Sequence, residues 1–125
     1  NSYGSVFCPR TAIKRMAKSA GGSGAVIENN SSVAVQLGRP GEYLHYTTRK
    51  AAIENFTIGQ TKEVGTNNTN IHAIAGNLNR PATVTANAPL RRLTALEDIV
   101  KGIMWLASAP ADYVNGAVLP VSDGL

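Results

Sequence analysis

The run Ala25-Val26-Ile27 constrains the fold more than any other stretch of this chain. It is reached through Gly21-Gly22-Ser23-Gly24 and released into the polar cluster Glu28-Asn29-Asn30-Ser31-Ser32. A short apolar run bounded in this way predicts a buried strand whose carboxyl end opens into a polar site. The segment from Tyr43 to Val64 then predicts a helix that stops at Gly65, and Asn70 to Ile74 predicts a second strand. Strand, helix and strand in that order point to the parallel sheet of an α/β fold. In open sheets of this kind, ligands bind just beyond the carboxyl ends of the strands.

The flanking segments extend the pattern. A first helix is expected to run to about Ala20, with Val6, Phe7, Ile13, Met16 and Ala17 turned inward. Pro9 removes a helical hydrogen bond and crowds the preceding turn, which predicts a kink or a start near that residue. Thr94-Ala95-Leu96-Glu97 has capping-box spacing and opens a third helix, with Leu96, Val100, Ile103, Met104 and Ala107 at a helical period. Trp105 is expected in the core or at an interface. Ala117 to Val121 closes the series as a strand, and Pro120, which cannot donate to a ladder, places it at a sheet edge.

Chemistry enters with Tyr46-Thr47-Thr48-Arg49-Lys50. A phenol and an ammonium four residues apart lie one above the other on the same helix face. The ammonium favours phenolate over phenol, so Tyr46 becomes a candidate acid/base. By itself a Tyr-x-x-x-Lys pair also fits an ordinary solvated helix face. Its position after a strand that ends in hydroxyls is what gives it weight.

In combination these residues resemble the short-chain dehydrogenase/reductase family, whose members carry a serine at a strand end, a Tyr-x-x-x-Lys helix about thirteen residues later and an asparagine on the preceding helix. Ser32 stands fourteen residues before Tyr46 and Ser31 fifteen, so Ser32 is the better match. Leu37-Gly38-Arg39-Pro40-Gly41-Glu42-Tyr43 is similar to a bacterial branch with one extra residue in this loop, and Asn1-Ser2-Tyr3-Gly4 to the Asn-x-x-Gly segment. Pro89-Leu90-Arg91-Arg92 with Glu97-Asp98, then Tyr113-Val114-Asn115-Gly116 and Leu119-Pro120-Val121-Ser122-Asp123-Gly124, resemble the segments around and after the last long helix. The order and spacing of these motifs carry the resemblance from end to end.

The resemblance implies a Rossmann-like parallel sheet with flanking helices, over residues 1–125 as a carboxyl-terminal half of about three strands and three to four helices. The glycine-rich turn of the cofactor half has no match, because Gly21 to Gly24 precede a strand instead of following one. A chain about twice as long is therefore expected, and the 125 residues alone are not expected to turn over. The implied activity is NAD(P)-dependent interconversion of a carbonyl and an alcohol, with NAD or NADP left open. Tyr46 would exchange the proton, Lys50 would assist it and hold the nicotinamide ribose, Ser32 would hold the substrate oxygen and Asn1 would anchor a relay water. Gly76 would contact the nicotinamide, and a homodimer or homotetramer through the Tyr46 to Val64 helix is expected. The alternative is a non-catalytic remnant serving as an interaction module.

Three departures from the family pattern stand out. Arg49 occupies a place usually held by Ser or Ala, where a bulky cation is expected to crowd helix packing. His72 takes an Asn place and is expected to be a strand side chain with a local hydrogen bond, while Ala75-Gly76 takes the place of a Pro-Gly turn, one residue early. The substrate loop, Asn77 to Ala88, is short.

Composition separates the remaining classes. Charged residues are only 16% of the chain and apolar residues 43%, which argues against disorder. The net charge of +4 is spread along the chain instead of clustered, so nucleic acid is not an expected partner. No apolar run approaches eighteen residues and no membrane association is expected; with a single cysteine, Cys8, the expected location is the cytoplasm. No metal-ligand spacing is evident.

Overall fold

The computed structural model describes residues 2–38, 41, 43–76 and 88–124. In chain order the elements are α1 (Ser2–Met16), β1 (Ala25–Ser32), α2 (Ala34–Leu37), α3 (Leu44–Val64), β2 (Thr69–Gly76), α4 (Leu96–Leu106) and β3 (Val118–Val121), with short 3-10 turns between some of them. The three strands form one parallel sheet in the order β1-β2-β3. This is the expected Rossmann-like layering.

β2 lies in the middle, and Ile71, His72, Ala73, Ile74 and Ala75 are all buried. A central strand of a parallel sheet is covered on both faces, so it reads as a continuous apolar run interrupted only by His72. β1 pairs with it over eight residues, from Ala25 opposite Thr69 to Ser32 opposite Gly76. β1 continues through the polar cluster that was expected to follow it. β3 pairs from Ala73 opposite Val118 to Gly76 opposite Val121, and Pro120 sits on this edge strand as expected.

Alternation along the strands puts α3 and α4 on opposite faces. Asn29 and Ser31 of β1 reach α3, whereas Ile74 of β2 and Leu119 and Val121 of β3 lie against Gly102 of α4. α4 meets the sheet through Ile99, Gly102 and Leu106, and Leu96, Val100, Met104 and Trp105 are exposed. The face expected from the sequence is thus rotated. The cause is Gly102, where an added Cβ would lie 2.9 Å from Ile74 Cδ1, so the bare side of the helix is the side that approaches the sheet. The α4 cap also sits one residue later than the spacing suggests: Ala95 N–H donates to the Asp98 carboxylate at 2.9 Å.

α1 departs further from expectation. It begins at Ser2 and keeps Pro9 within it, and of its expected inward residues only Ala17, just beyond it, is fully buried; Val6, Phe7 and Met16 are exposed. Only a narrow line of α1 touches β1 and α3, and its outer rings, Tyr3 and Phe7, stack on each other with centroids 6.3 Å apart. At the other end of α3, Gly65 keeps a right-handed conformation and Asn68 makes the left-handed turn at φ 53°. Asn is among the residues that tolerate that region, and the Asn68 side chain is held across the chain by donating to Ser23 O, on the approach to β1.

The segment before β3 straps the sheet. Asn115 Oδ1 accepts from Ile71 N–H at 2.9 Å, Gly116 N–H donates to Ile71 O at 2.8 Å, and Asn70 Nδ2 donates to Asp112 O at 3.0 Å. The two Ile71 bonds satisfy the start of β2 on the edge that faces β3, ahead of the point where β3 begins.

Gly24 and Gly59 provide a test of the packing. At Gly24 (φ +103°) an added Cβ would sit 2.4 Å from Asn68 O, whereas at Gly59, exposed on α3, it would meet nothing within 4 Å. Gly24→Ala should lower unfolding free energy by more than about 2 kcal/mol, and Gly59→Ala should raise it by about 0.5–1 kcal/mol. Urea denaturation midpoints of the two variants check this.

Candidate active site

One face of α3 presents Tyr46, Arg49, Lys50 and Ile53, spaced three, four and seven residues from the first. Together with Asn30 of β1 and Gly4 and Ser5 of α1 they line a cleft of ≈ 410 Å³. Lys50 Nζ donates to the Asn30 carbonyl at 2.6 Å and lies 5.7 Å from the centroid of the Tyr46 ring. An ammonium carries three donors, so two remain for a ligand. Tyr46 and Lys50 are each half-buried, which leaves both accessible from the cleft. Arg49 does not crowd the helix packing; it is exposed and turned to the same cleft.

Three bonds hold α3 in this orientation. Besides the Lys50–Asn30 bond, Asn29 Nδ2 donates to Thr57 Oγ1 at 2.9 Å and Ser31 Oγ donates to Glu54 Oε1 at 2.5 Å. Thr57 in turn donates to Ile53 O at 2.9 Å. The buried face of α3 is therefore largely polar, with Thr47, Thr57 and Gln60 beside Ile53 and Val64.

The two serines at the tip of β1 point to opposite faces, as alternation requires. Ser31 is taken by Glu54, while Ser32 is buried and accepts from Ala34 N–H at 3.2 Å, opening the short helix α2. Ser32 lies two residues beyond Asn30, beside Gly76 in the ladder, and is not among the residues lining the Tyr46–Lys50 cleft. Gly76 ends β2, and Val33 N–H donates to its carbonyl at 3.4 Å. A Cβ at Gly76 would lie 2.7 Å from Ile99 Cδ1, so the glycine lets α4 come close. Asn1 lies outside the described residues, as does the substrate loop from Asn77 to Asn87; α1 reaches the cleft through Gly4 and Ser5.

His72 is a strand side chain with two partners. It faces Glu28 directly across the β1–β2 ladder, with Nδ1 2.7 Å from Glu28 Oε1 and Nε2 2.7 Å from the Val114 carbonyl. Both partners accept, so a ring that satisfies both must carry two protons. Burial works against that charge, yet the hydrogen bond to Glu28, the bond to Val114 and the Glu28 charge outweigh it and hold the His72 pKa above its ordinary 6.5. The Glu28–His72 pair was missed from sequence because cross-strand register joins residues 44 apart. Exposed Asp98 is held down at about 2, chiefly by its hydrogen bond from Arg92.

Among the described residues no three His, Cys, Asp or Glu side chains gather into a group that holds a metal ion, and no helix is long and apolar enough to cross a membrane.

Comparison with known proteins agrees with this fold. A family model described as Enoyl-(Acyl carrier protein) reductase matches residues 1–125, and the chain belongs to that family, the short-chain dehydrogenases/reductases. It is 38% identical to an uncharacterized oxidoreductase, YgfF, of Escherichia coli over 99% of this chain and 55% of that protein. It is 35% identical to the 3-oxoacyl-[acyl-carrier-protein] reductase FabG of Chlamydia trachomatis over 82% of this chain and 45% of that protein. A solved putative oxidoreductase from Escherichia coli superposes with a TM-score of 0.85 at 29% identity, covering 97% of this chain and 50% of that one. The chain spans about half the length of the curated relatives it matches.

The His72 pair has a signed consequence for stability. A histidine whose folded pKa is raised contributes stability that is full below its unfolded value near 6.5 and is lost as pH rises through the higher folded value. Unfolding free energy should thus fall as pH rises above about 6.5, and His72→Gln should flatten that slope. Denaturant titrations at several pH values measure both.

Proposed function

We propose that the protein containing this chain is an NAD(P)-dependent oxidoreductase that interconverts a carbonyl and an alcohol, with Tyr46 as the acid/base. The observation that carries this reading is the cleft in which Lys50, anchored on the Asn30 carbonyl, stands beside the Tyr46 ring at the carboxyl end of a parallel strand. The oxidoreductase names of the relatives support the same class.

The cleft fits the nicotinamide end of a dinucleotide: Lys50 has donors to spare for ribose hydroxyls, and the position beyond the strand tips is where open α/β sheets bind ligands. A bound dinucleotide would supply or accept the hydride. The residues of this chain manage the proton and the substrate oxygen. In the reductive direction Tyr46 donates its hydroxyl proton to the oxygen of the carbonyl as that oxygen becomes negative. The Lys50 ammonium stabilises the charge left on the Tyr46 oxygen, an effect strengthened where water is partly excluded. Ser32 orients the substrate oxygen through its hydroxyl hydrogen, and Asn1 anchors a water that restores the proton from solvent. Gly76, at the neighbouring strand tip, would contact the nicotinamide of a bound dinucleotide. In the oxidative direction each of these steps runs in reverse.

A homodimer or homotetramer belongs to the same proposal, with α3 and the exposed Tyr3, Phe7 and Met16 of α1 as contact surfaces. So does a cytoplasmic location, in keeping with the free thiol of Cys8.

In the full-length protein, Tyr46→Phe should lower kcat by about 10²–10⁴-fold, the usual contribution of a positioned acid/base, while leaving the nicotinamide fluorescence change on binding intact. Wild-type turnover in that variant retires Tyr46 from the role. Lys50→Met should lose turnover and weaken the binding signal together.

A further inference from the structure

The cleft beside Tyr46 is more cationic than proton transfer requires. Two of its seven lining residues, Arg49 and Lys50, are cations and none is an acid. Among the described residues Lys50 hydrogen-bonds a neutral carbonyl and forms no ion pair, and Arg49 has no ion-pair or hydrogen-bond partner. The nearby carboxylates are committed elsewhere: Glu54 accepts from Ser31, and Glu28, in the adjoining groove, faces His72. Adjacent positive charges without a counter-ion repel each other, and an anion entering the cleft relieves that repulsion. Arg49 stands one turn after Tyr46 on the same face of α3, so a group held by its guanidinium lies within one small molecule's length of the phenol. The planar guanidinium fork matches a carboxylate or a phosphate in a bidentate pair.

We propose that the cleft takes a substrate bearing an anionic group, a carboxylate or a phosphate, and that Arg49 is the specificity-determining residue that holds it. The proposal rests on the reading of Tyr46 as the acid/base of a carbonyl–alcohol exchange, and it adds the chemical class of the substrate: a keto or hydroxy acid or a phosphate ester, not a neutral ketone.

Two measurements on the full-length protein test it. The first needs no turnover: oxalate and inorganic phosphate are titrated into the cofactor-free protein by calorimetry, in wild type and in Arg49→Gln. Loss of a charge-assisted pair should weaken binding of at least one of these anions by about tenfold or more. Equal affinities in the two proteins, or no binding to wild type, overturn the assignment of Arg49. The second compares kcat/KM for carbonyl substrates offered as free acid and as methyl ester. Wild type should prefer the acid by about tenfold or more, and Arg49→Gln should erase the preference while the dinucleotide Kd from fluorescence stays the same. An unchanged acid-to-ester ratio with weakened dinucleotide binding means that Arg49 holds a cofactor phosphate, which overturns the substrate class. If no carbonyl or alcohol is turned over, the oxidoreductase reading fails with its substrate class, and the calorimetric difference alone upholds or removes Arg49 as an anion site.

Discussion

Three consecutive residues of β1 are each tied to α3, and the rest of the site depends on that seam. Asn29 bonds Thr57, the Asn30 carbonyl accepts Lys50, and Ser31 bonds Glu54. Apolar contacts alone tolerate sliding and rotation of a helix on a sheet, whereas directional bonds at successive rungs fix both. The seam sets the rotation of α3 so that Tyr46, Arg49, Lys50 and Ile53 face one cleft. Its cost is that each buried partner depends on the other, because an orphaned polar group in this layer loses its water without replacement. Gln60 Oε1, buried with no hydrogen-bond partner among the described residues, shows that the seam is not saturated along its whole length.

Much of the framework was legible because it follows local rules. Glycines before an apolar run located the start of β1, although the strand runs on through the polar cluster to Ser32, and the edge position of β3 followed from Pro120. The faces of the helices were not legible in the same way. On α4 the glycine, not the largest apolar residues, decides which side approaches the sheet, and Leu96, Val100 and Met104 turn outward as a result. On α1 the apolar residues exceed what the narrow contact with β1 and α3 can cover. Periodicity states that a helix has an apolar side; how much of that side is covered is a tertiary matter.

The candidate site divides along the same line. The Tyr46–Lys50 relation is helical and local, so it was readable from spacing, whereas strand alternation sends Ser31 to Glu54 and Ser32 to the N–H of Ala34, outside the lining of the Tyr46–Lys50 cleft. The Asn115-Gly116 motif was recognisable, but its work, satisfying both sides of Ile71, depends on a chain reversal that sequence spacing does not reveal. His72 was visible as a polar residue in a strand and Glu28 as the first of a polar cluster, yet only the register of the parallel ladder, which carries β1 through Glu28, makes them partners.

That partnership binds two distant codons. Among the described residues, a change at position 72 alone strands a carboxylate one of whose oxygens, Oε2, is already without a hydrogen-bond partner, and a change at position 28 alone leaves an imidazole in the interior with only the Val114 carbonyl to answer it. Divergence of this protein is therefore channelled: descendants that abandon one of the two charges come under selection to abandon both, and the two positions leave a correlated trace in its lineage.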